Sequence, residues 1–169
     1  GSNMIITGYQ GIGKSTLARK NDKIIDLEST SFWKYERDEY GKKTDKRTRH
    51  DDWYVYYCQV AEHLSAQGYT VFVSCHAEVR KYLALHTTEK FCAIFPDPKI
   101  KDDWLKRLED RYNNSKSDKD LRAWEHAKNS FDNDIQTLIN ECWYGNEYYN
   151  NAVFIDDINY DLQELVDRL

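Results

Sequence analysis

The sequence predicts an α/β domain of three layers, α/β/α, built around a five-stranded parallel sheet. Three observations carry this reading. Short apolar runs alternate along the chain with segments whose apolar residues recur every three or four positions. Each short run is apolar throughout, the pattern of strands buried on both faces. At 169 residues, 40% hydrophobic and 31% charged, the chain has the size and composition of one globular domain.

Met4-Ile5-Ile6-Thr7, stopped by Gly8, reads as the first strand. Lys14 to Lys20 reads as a short helix, and Lys23-Ile24-Ile25-Asp26 as a second strand. Residues 29–50 have no clean period. Phe32, Trp33, Tyr35 and Tyr40 are mixed there with Lys42, Lys43, Lys46, Arg47 and Arg49, which reads as a mobile insert. Asp51 or Asp52 can cap the next helix, whose apolar positions Trp53, Tyr56, Val60 and Leu64 step by three and four, and Gly68 ends it. Tyr69 to Ser74 is the third strand, Ala77 to Leu85 a helix, and Phe91 to Phe95 the fourth strand, stopped by Pro96 and Pro98. A helix from Lys101 carries Trp104, Leu108 and Tyr112 on one face until the polar stretch Asn113 to Lys119 breaks it. Leu121, Trp124, Phe131, Ile135, Leu138 and Cys142 repeat at helical spacing through a long helix. Ala152 to Ile155 is the fifth strand, and Asp161 to Leu169 a closing helix. No internal repeat is present. Residues 4–169 read as one domain, and Gly1-Ser2-Asn3, before the only methionine, as a cloning remnant.

Composition narrows the function classes. No apolar run approaches the roughly 18 residues of a membrane span, and the N-terminus lacks a secretory layout, so no membrane partner and a cytoplasmic location are expected. Cys58, Cys75, Cys92 and Cys142 form no C-x-x-C pair and read as reduced thiols. With 24 Lys plus Arg against 29 Asp plus Glu, the net charge of −5 argues against a duplex nucleic acid partner.

Gly8-Tyr9-Gln10-Gly11-Ile12-Gly13-Lys14-Ser15 fits G-x-x-x-x-G-K-[ST] between a strand and a helix. In such a loop glycines let backbone N–H groups turn around phosphate oxygens. Gly8, Gly11, Ile12, Gly13, Lys14, Ser15 and Thr16 are therefore the expected nucleotide contacts. Lys14 would reach the β and γ phosphates of ATP, Ser15 would ligate Mg²⁺, and Thr16 would lie near the α-phosphate. The sequence lacks the D-x-x-G and N-K-x-D of GTPases and the length of large motor ATPases, which leaves small kinases.

Asp26 and Glu28 close the second strand on one side of the chain, so one can serve Mg²⁺ while the other contacts or deprotonates the acceptor. Arg107 and Arg111 share a helix face, as paired guanidiniums on a lid over residues 107–119 would. Within 29–50, Phe32, Trp33 or Tyr35 could stack on a base while Arg47 and Arg49 hold an anionic acceptor. Arg80 is a further candidate for an acceptor phosphate. The same residues also suit an ordinary surface, and His76 beside Cys75 lacks the partners of a Cys-His nucleophile.

On the Gly8 to Ser15 loop, the Asp26-x-Glu28 pair, the Arg107-x-x-x-Arg111 pattern and a final strand leading into a helix, the chain resembles the P-loop kinases of nucleotides and small molecules. That group includes nucleoside monophosphate, shikimate and gluconate kinases. The Asp26-x-Glu28 pair is similar to the D-x-D of shikimate kinases, and Pro96 to Tyr112 resembles candidate nucleotide kinases encoded by bacteriophages. The resemblance covers nearly the whole chain. It implies a five-stranded parallel sheet, ATP and Mg²⁺. Ser74-Cys75-His76 stands where adenylate kinases carry Asp-Gly-x-Pro-Arg. The expected partner is a small phosphate acceptor, a (deoxy)nucleoside monophosphate, with a hydroxyl acceptor or a non-catalytic ATP-binding module as alternatives.

Overall fold

The computed structural model describes residues 3–143, 145 and 147–169. Gly1 and Ser2, the start of the expected remnant, lie outside the described residues. Strands β1 (Met4–Gly8), β2 (Ile24–Asp26), β5 (Thr70–Val73), β6 (Phe91–Pro96) and β7 (Asn151–Ile155) form a parallel sheet in the order β2-β5-β1-β6-β7. All five were expected from their unbroken apolar runs, and burial explains why. Ile5 and Ile6 on the central strand are fully buried, facing Val71 and Phe72 of β5 on one side and Phe91 and Cys92 of β6 on the other.

Alternation along the strands divides the core between the two faces of the sheet. Ile5, Val71, Val73 and Phe91 pack with Trp53, Tyr57, Cys58 and Ala61 of α2 (Trp53–Ala66) and with Val79 and Leu83 of α3 (Ala77–His86). Met4, Ile6 and Phe72 belong to the larger cluster. It takes in Trp104 and Leu108 of α4 (Lys101–Ser115) and Ala127, Phe131, Ile135 and Leu138 of α5 (Asp118–Cys142). Leu17 of α1 (Lys14–Lys20) and Leu162, Leu165 and Val166 of α6 (Leu162–Asp167) complete it. Each of the large side chains buried this way contributes about 1.5–3 kcal/mol.

The chain runs from β1 to the far edge at β2, returns to β5 beside β1, and then passes β1 to reach β6. Its direction across the sheet therefore reverses about β1. In open α/β sheets the crevice outside the carboxyl ends of the strands at such a reversal is the usual ligand site.

Three local features differ from the sequence expectation. Residues 29–50 contain an antiparallel hairpin, β3 (Lys34–Arg37) and β4 (Lys43–Thr48), with Tyr35 opposite Arg47. Its turn is built by Asp38, whose Oδ1 accepts from the N–H groups of Tyr40 and Lys42. The hairpin is largely exposed on both faces and its register shifts between Tyr35 and Arg37, so it has no apolar face to imprint a period of two. Asp52 occupies the position before α2, but its side chain accepts no capping hydrogen bond. The break between α4 and α5 narrows to Lys116 and Ser117, where the Ser117 hydroxyl accepts from Asp120 N–H at 3.2 Å. Residues 107–119 are thus the end of α4, a tight turn and the start of α5, a helical hairpin rather than a loop.

The four cysteines are free, with Cys58 and Cys92 buried and burial pushing the Cys58 thiol up to about 12. Among the described residues no helix is long and apolar enough to cross a membrane.

A buried polar network ties α3 to the end of α5. Arg80 donates through Nε and Nη2 to Glu141 Oε1 and Oε2 at 2.8 and 3.0 Å, and through Nη1 to the Cys75 carbonyl. Tyr149 Oη donates to Glu141 at 2.5 Å, its phenol held protonated by burial and by that carboxylate. Arg80, expected at an acceptor phosphate, is instead 8% exposed with its charge met by Glu141. Arg80→Met strands the Glu141 carboxylate and should cost about 3–5 kcal/mol in denaturant unfolding. The double variant Arg80→Met/Glu141→Leu should recover most of that loss.

Candidate functional site

The loop from Gly8 to Ser15 turns the chain from β1 into α1 at the carboxyl edge of the sheet. Gly11 (φ +91) and Gly13 (φ +103) adopt left-handed conformations that L side chains rarely tolerate. Space is short as well. A Cβ on Gly8 would stand 2.4 Å from Ile12 Cδ1, and one on Gly11 would stand 2.8 Å from Leu108 Cδ2.

Side chains behind the loop hold its carbonyl groups. Trp104 Nε1 donates to the Gln10 carbonyl at 3.0 Å, and Tyr160 Oη donates to the Ile12 carbonyl at 2.7 Å. Gly13 C=O accepts from Leu17 N–H in the first turn of α1. The N–H groups of Gly11, Gly13, Lys14 and Ser15 have no hydrogen-bond partner among the described residues. The loop therefore offers unpaired donors beside a lysine, and that combination suits oxyanions.

The Lys14 charge is felt at the ends of neighbouring strands, pulling down the pKa of Asp26 at the end of β2 and of Cys75 and His76 beyond β5. Burial raises the Asp26 carboxyl above its ordinary value; Lys14 opposes that shift, Glu28 adds to it, and Lys119 opposes it. Glu28 is exposed, and its Oε1 accepts from Lys119 Nζ at 3.0 Å, so the start of α5 reaches across to the end of β2. The Ser15 hydroxyl is half-buried without a partner among the described residues, whereas Thr16 is exposed and accepts from Arg19 at 3.4 Å. Ser15 and Asp26 supply the hard oxygen ligands that a Mg²⁺ ion prefers.

Tyr57 adds a bridge that the sequence reading did not single out. Its Oη donates to the Leu27 carbonyl at 2.6 Å and accepts from Ser74 N–H at 2.8 Å, which ties the ends of β2 and β5 together. Tyr57 lies off the stripe Trp53, Tyr56, Val60 and Leu64 that the spacing picks out: Tyr56 and Val60 are exposed, and the buried face of α2 is Trp53, Tyr57, Cys58, Ala61 and Ser65.

The two lid arginines part company. Arg107 donates to Tyr160 Oη at 2.7 Å and to the Ile158 carbonyl at 2.9 Å, lying over both the Trp104 and Tyr160 rings. It thereby braces the tyrosine that holds Ile12. Arg111 is exposed, acts on Tyr160 only through its charge, and has no hydrogen bond or ion pair among the described residues. Tyr160 itself lies in an acidic, aperiodic stretch that gave no sequence signal.

The acceptor candidates of the insert meet at the base of the hairpin. Phe32 packs against Trp53 and Tyr57, with centroids 6.0 and 5.6 Å apart. Trp33 is flanked by Arg47 and Arg49. His76 lies beside them, its Nδ1 2.7 Å from Ser74 Oγ, and burial together with the Arg49 charge lowers its pKa, leaving it neutral at pH 7. Arg80 stays apart in its core network.

No protein-family model matches the chain, and no curated protein does. Among solved structures, an uncharacterized protein from Eubacterium ventriosum ATCC 27560 is similar at 16% identity, over 99% of this chain and 96% of that one, with a TM-score of 0.48.

Two consequences can be measured. Gly11→Ala must strain its backbone and displace Leu108, at a cost of roughly 1–3 kcal/mol in denaturant unfolding. Asp26 has a raised pKa in the folded state, so between its unfolded and folded values the native protein binds the extra proton, and stability falls as pH rises through that window. Asp26→Asn removes this penalty. Its melting temperature should exceed that of the wild type at pH 7, with the gain shrinking as pH falls toward 3.8, the ordinary value.

Proposed function

We propose that the chain is a P-loop phosphotransferase that moves the γ-phosphoryl of ATP, with Mg²⁺, to a small acceptor, a (deoxy)nucleoside monophosphate. The observation that carries this reading is the division of labour in the Gly8 to Ser15 loop. Its Gln10 and Ile12 carbonyls are bonded backward to Trp104 and Tyr160, and the N–H groups of Gly11, Gly13, Lys14 and Ser15 have no partner among the described residues. Together with the G-x-x-x-x-G-K-[ST] spacing, this is what a triphosphate needs from a protein surface.

The residues present fit the chemistry. Bound Mg²⁺ neutralises charge on the phosphates, with Ser15 and Asp26 as its protein-side oxygen groups. Lys14 offsets the charge that shifts onto the leaving phosphate. Arg107 is a positioning residue that keeps Tyr160 on the Ile12 carbonyl, while the exposed Arg111 is free to meet the transferring group. A hydroxyl acceptor would call on Glu28 as a base. The Glu28 carboxylate is already engaged by Lys119, which favours an acceptor that arrives ionised.

A turnover panel tests the proposal with ATP and Mg²⁺ against nucleoside monophosphates, nucleosides, sugar acids and oligonucleotide ends. Product is expected with a nucleoside monophosphate, and Lys14→Ala should lower its turnover by at least about 10²-fold with the fold intact. Tight ATP binding with no product from any acceptor would leave a nucleotide-binding module and remove the enzyme.

A further inference from the structure

At the base of the β3–β4 hairpin, two guanidinium groups lie against one indole. Arg47 Cζ is 4.4 Å and Arg49 Cζ 4.2 Å from the Trp33 ring centroid, and Arg49 lies a further 3.8 Å from the ring of Trp53. Cation–π attraction orients both groups. It also brings two like charges together in a half-buried place, and the Arg49 guanidinium is pulled below its ordinary value by burial and by Arg47, with Glu78 opposing.

Glu78 answers this charge only at a distance. Neither arginine forms an ion pair within 4.0 Å among the described residues. Arg49 Nη2 makes only a long contact, 3.4 Å, to His76 Nε2. Arg49 Nη1 is buried without a hydrogen-bond partner among the described residues. A buried, charged N–H left unpaired is costly, and the cost is removed by an oxyanion.

The rings beside them are taken. Guanidiniums lie over Trp33, and Phe32 is packed on Trp53 and Tyr57, so of the three residues expected to stack on a base these two serve as supports instead. The place reads charge. Two adjacent guanidiniums match a dianion better than a carboxylate, and a phosphate monoester, with its second pKa near 6, is a dianion at neutral pH.

We infer that Arg47 and Arg49, shelved on Trp33 and Trp53, form an oxyanion fork for a phosphate monoester carried by the acceptor. Its position fits that use, because Arg49 Nη2 lies 3.4 Å from His76, just beyond β5, and β5 pairs with β1, whose Thr7 hydroxyl donates to the Ser74 carbonyl at 3.1 Å, so the fork stands at the carboxyl edge of the sheet near the donor loop. Naming the ligand as the acceptor rests on the phosphotransferase reading; the fork's preference for a phosphate dianion does not.

Binding without ATP tests the fork independently of transfer. The full chain is titrated at pH 7.5 with the four 2′-deoxynucleoside 5′-monophosphates, each against its own nucleoside, and tryptophan emission is followed. At least one monophosphate should bind about tenfold or more tightly than its nucleoside, and the preference should shrink at pH 5.5 as the phosphate becomes a monoanion. Arg49→Gln and, separately, Arg47→Gln should each lose most of that preference with an unchanged far-ultraviolet spectrum, and Arg49→Lys should keep only part of it. Equal binding of monophosphate and nucleoside, or full preference retained in both glutamine variants, would overturn the fork. So would an oligothymidylate with a free 5′-hydroxyl binding as tightly as the monophosphates, since the anion read would then be a diester. Absence of turnover alongside a working fork would instead count against the phosphotransferase reading.

Discussion

The carboxyl edge of this sheet depends on how closely α4 approaches the Gly8 to Ser15 loop. Leu108 Cδ2 lies 2.8 Å from where a Cβ on Gly11 would be, and Trp104 reaches the Gln10 carbonyl. With Tyr160 on the Ile12 carbonyl, the helix and the β7–α6 connection pull the loop's acceptors inward. The donors face the other way by default, because a peptide cannot present both groups to the same partner. Hydrophobic packing thus sets the electrostatics of the loop: Trp104 and Leu108 are nearly fully buried, and their burial fixes which polar atoms are left over.

Behind the end of β5 lies a different kind of support. Arg80, Glu141 and Tyr149 form a buried network whose outer contact is the Cys75 carbonyl, and Thr7 Oγ1 lies 3.3 Å from the Cys75 sulfur. Tyr57 joins Leu27 to Ser74 from the other face. The segment Ser74 to His76 is therefore held by α2, α3 and the end of α5 together. Such a network costs desolvation that apolar side chains would not, and in return its directional bonds hold one backbone geometry where a packed apolar contact would allow several.

The strands of the sheet, the helical spacing of α4 and α5, and the loop with its two left-handed glycines were legible because each has a local cause: unbroken apolar runs, a period near 3.6, and a fixed motif. The hairpin was not legible. Its strands are exposed on both faces, so the alternation that marks a strand is absent, and only Asp38 and Gly41 hint at a turn. Site residues divide in the same way. Lys14 is singled out by the loop motif and Asp26 and Glu28 by their place at a strand end, and the charges of Lys14 and Glu28 both act on Asp26. Arg80 looked like an anion contact because one charge on a helix does not announce that Glu141, 61 residues later, will meet it. Tyr160 and Tyr57 act through hydroxyl groups whose partners lie 148 and 30 residues away, and no sequence period records such pairings.

The hairpin has one more consequence. Little of it is buried, and it meets the rest of the protein at its base, through Phe32, Trp33, Arg49 and Trp53. Its tip and strands can therefore accept substitutions, and even changes of length, with little effect on the core that shapes the Gly8 to Ser15 loop. Selection can act on what the protein recognises without reopening how it folds. A chain arranged this way can diverge in specificity faster than in architecture, and relatives would be expected to differ most between residues 34 and 48.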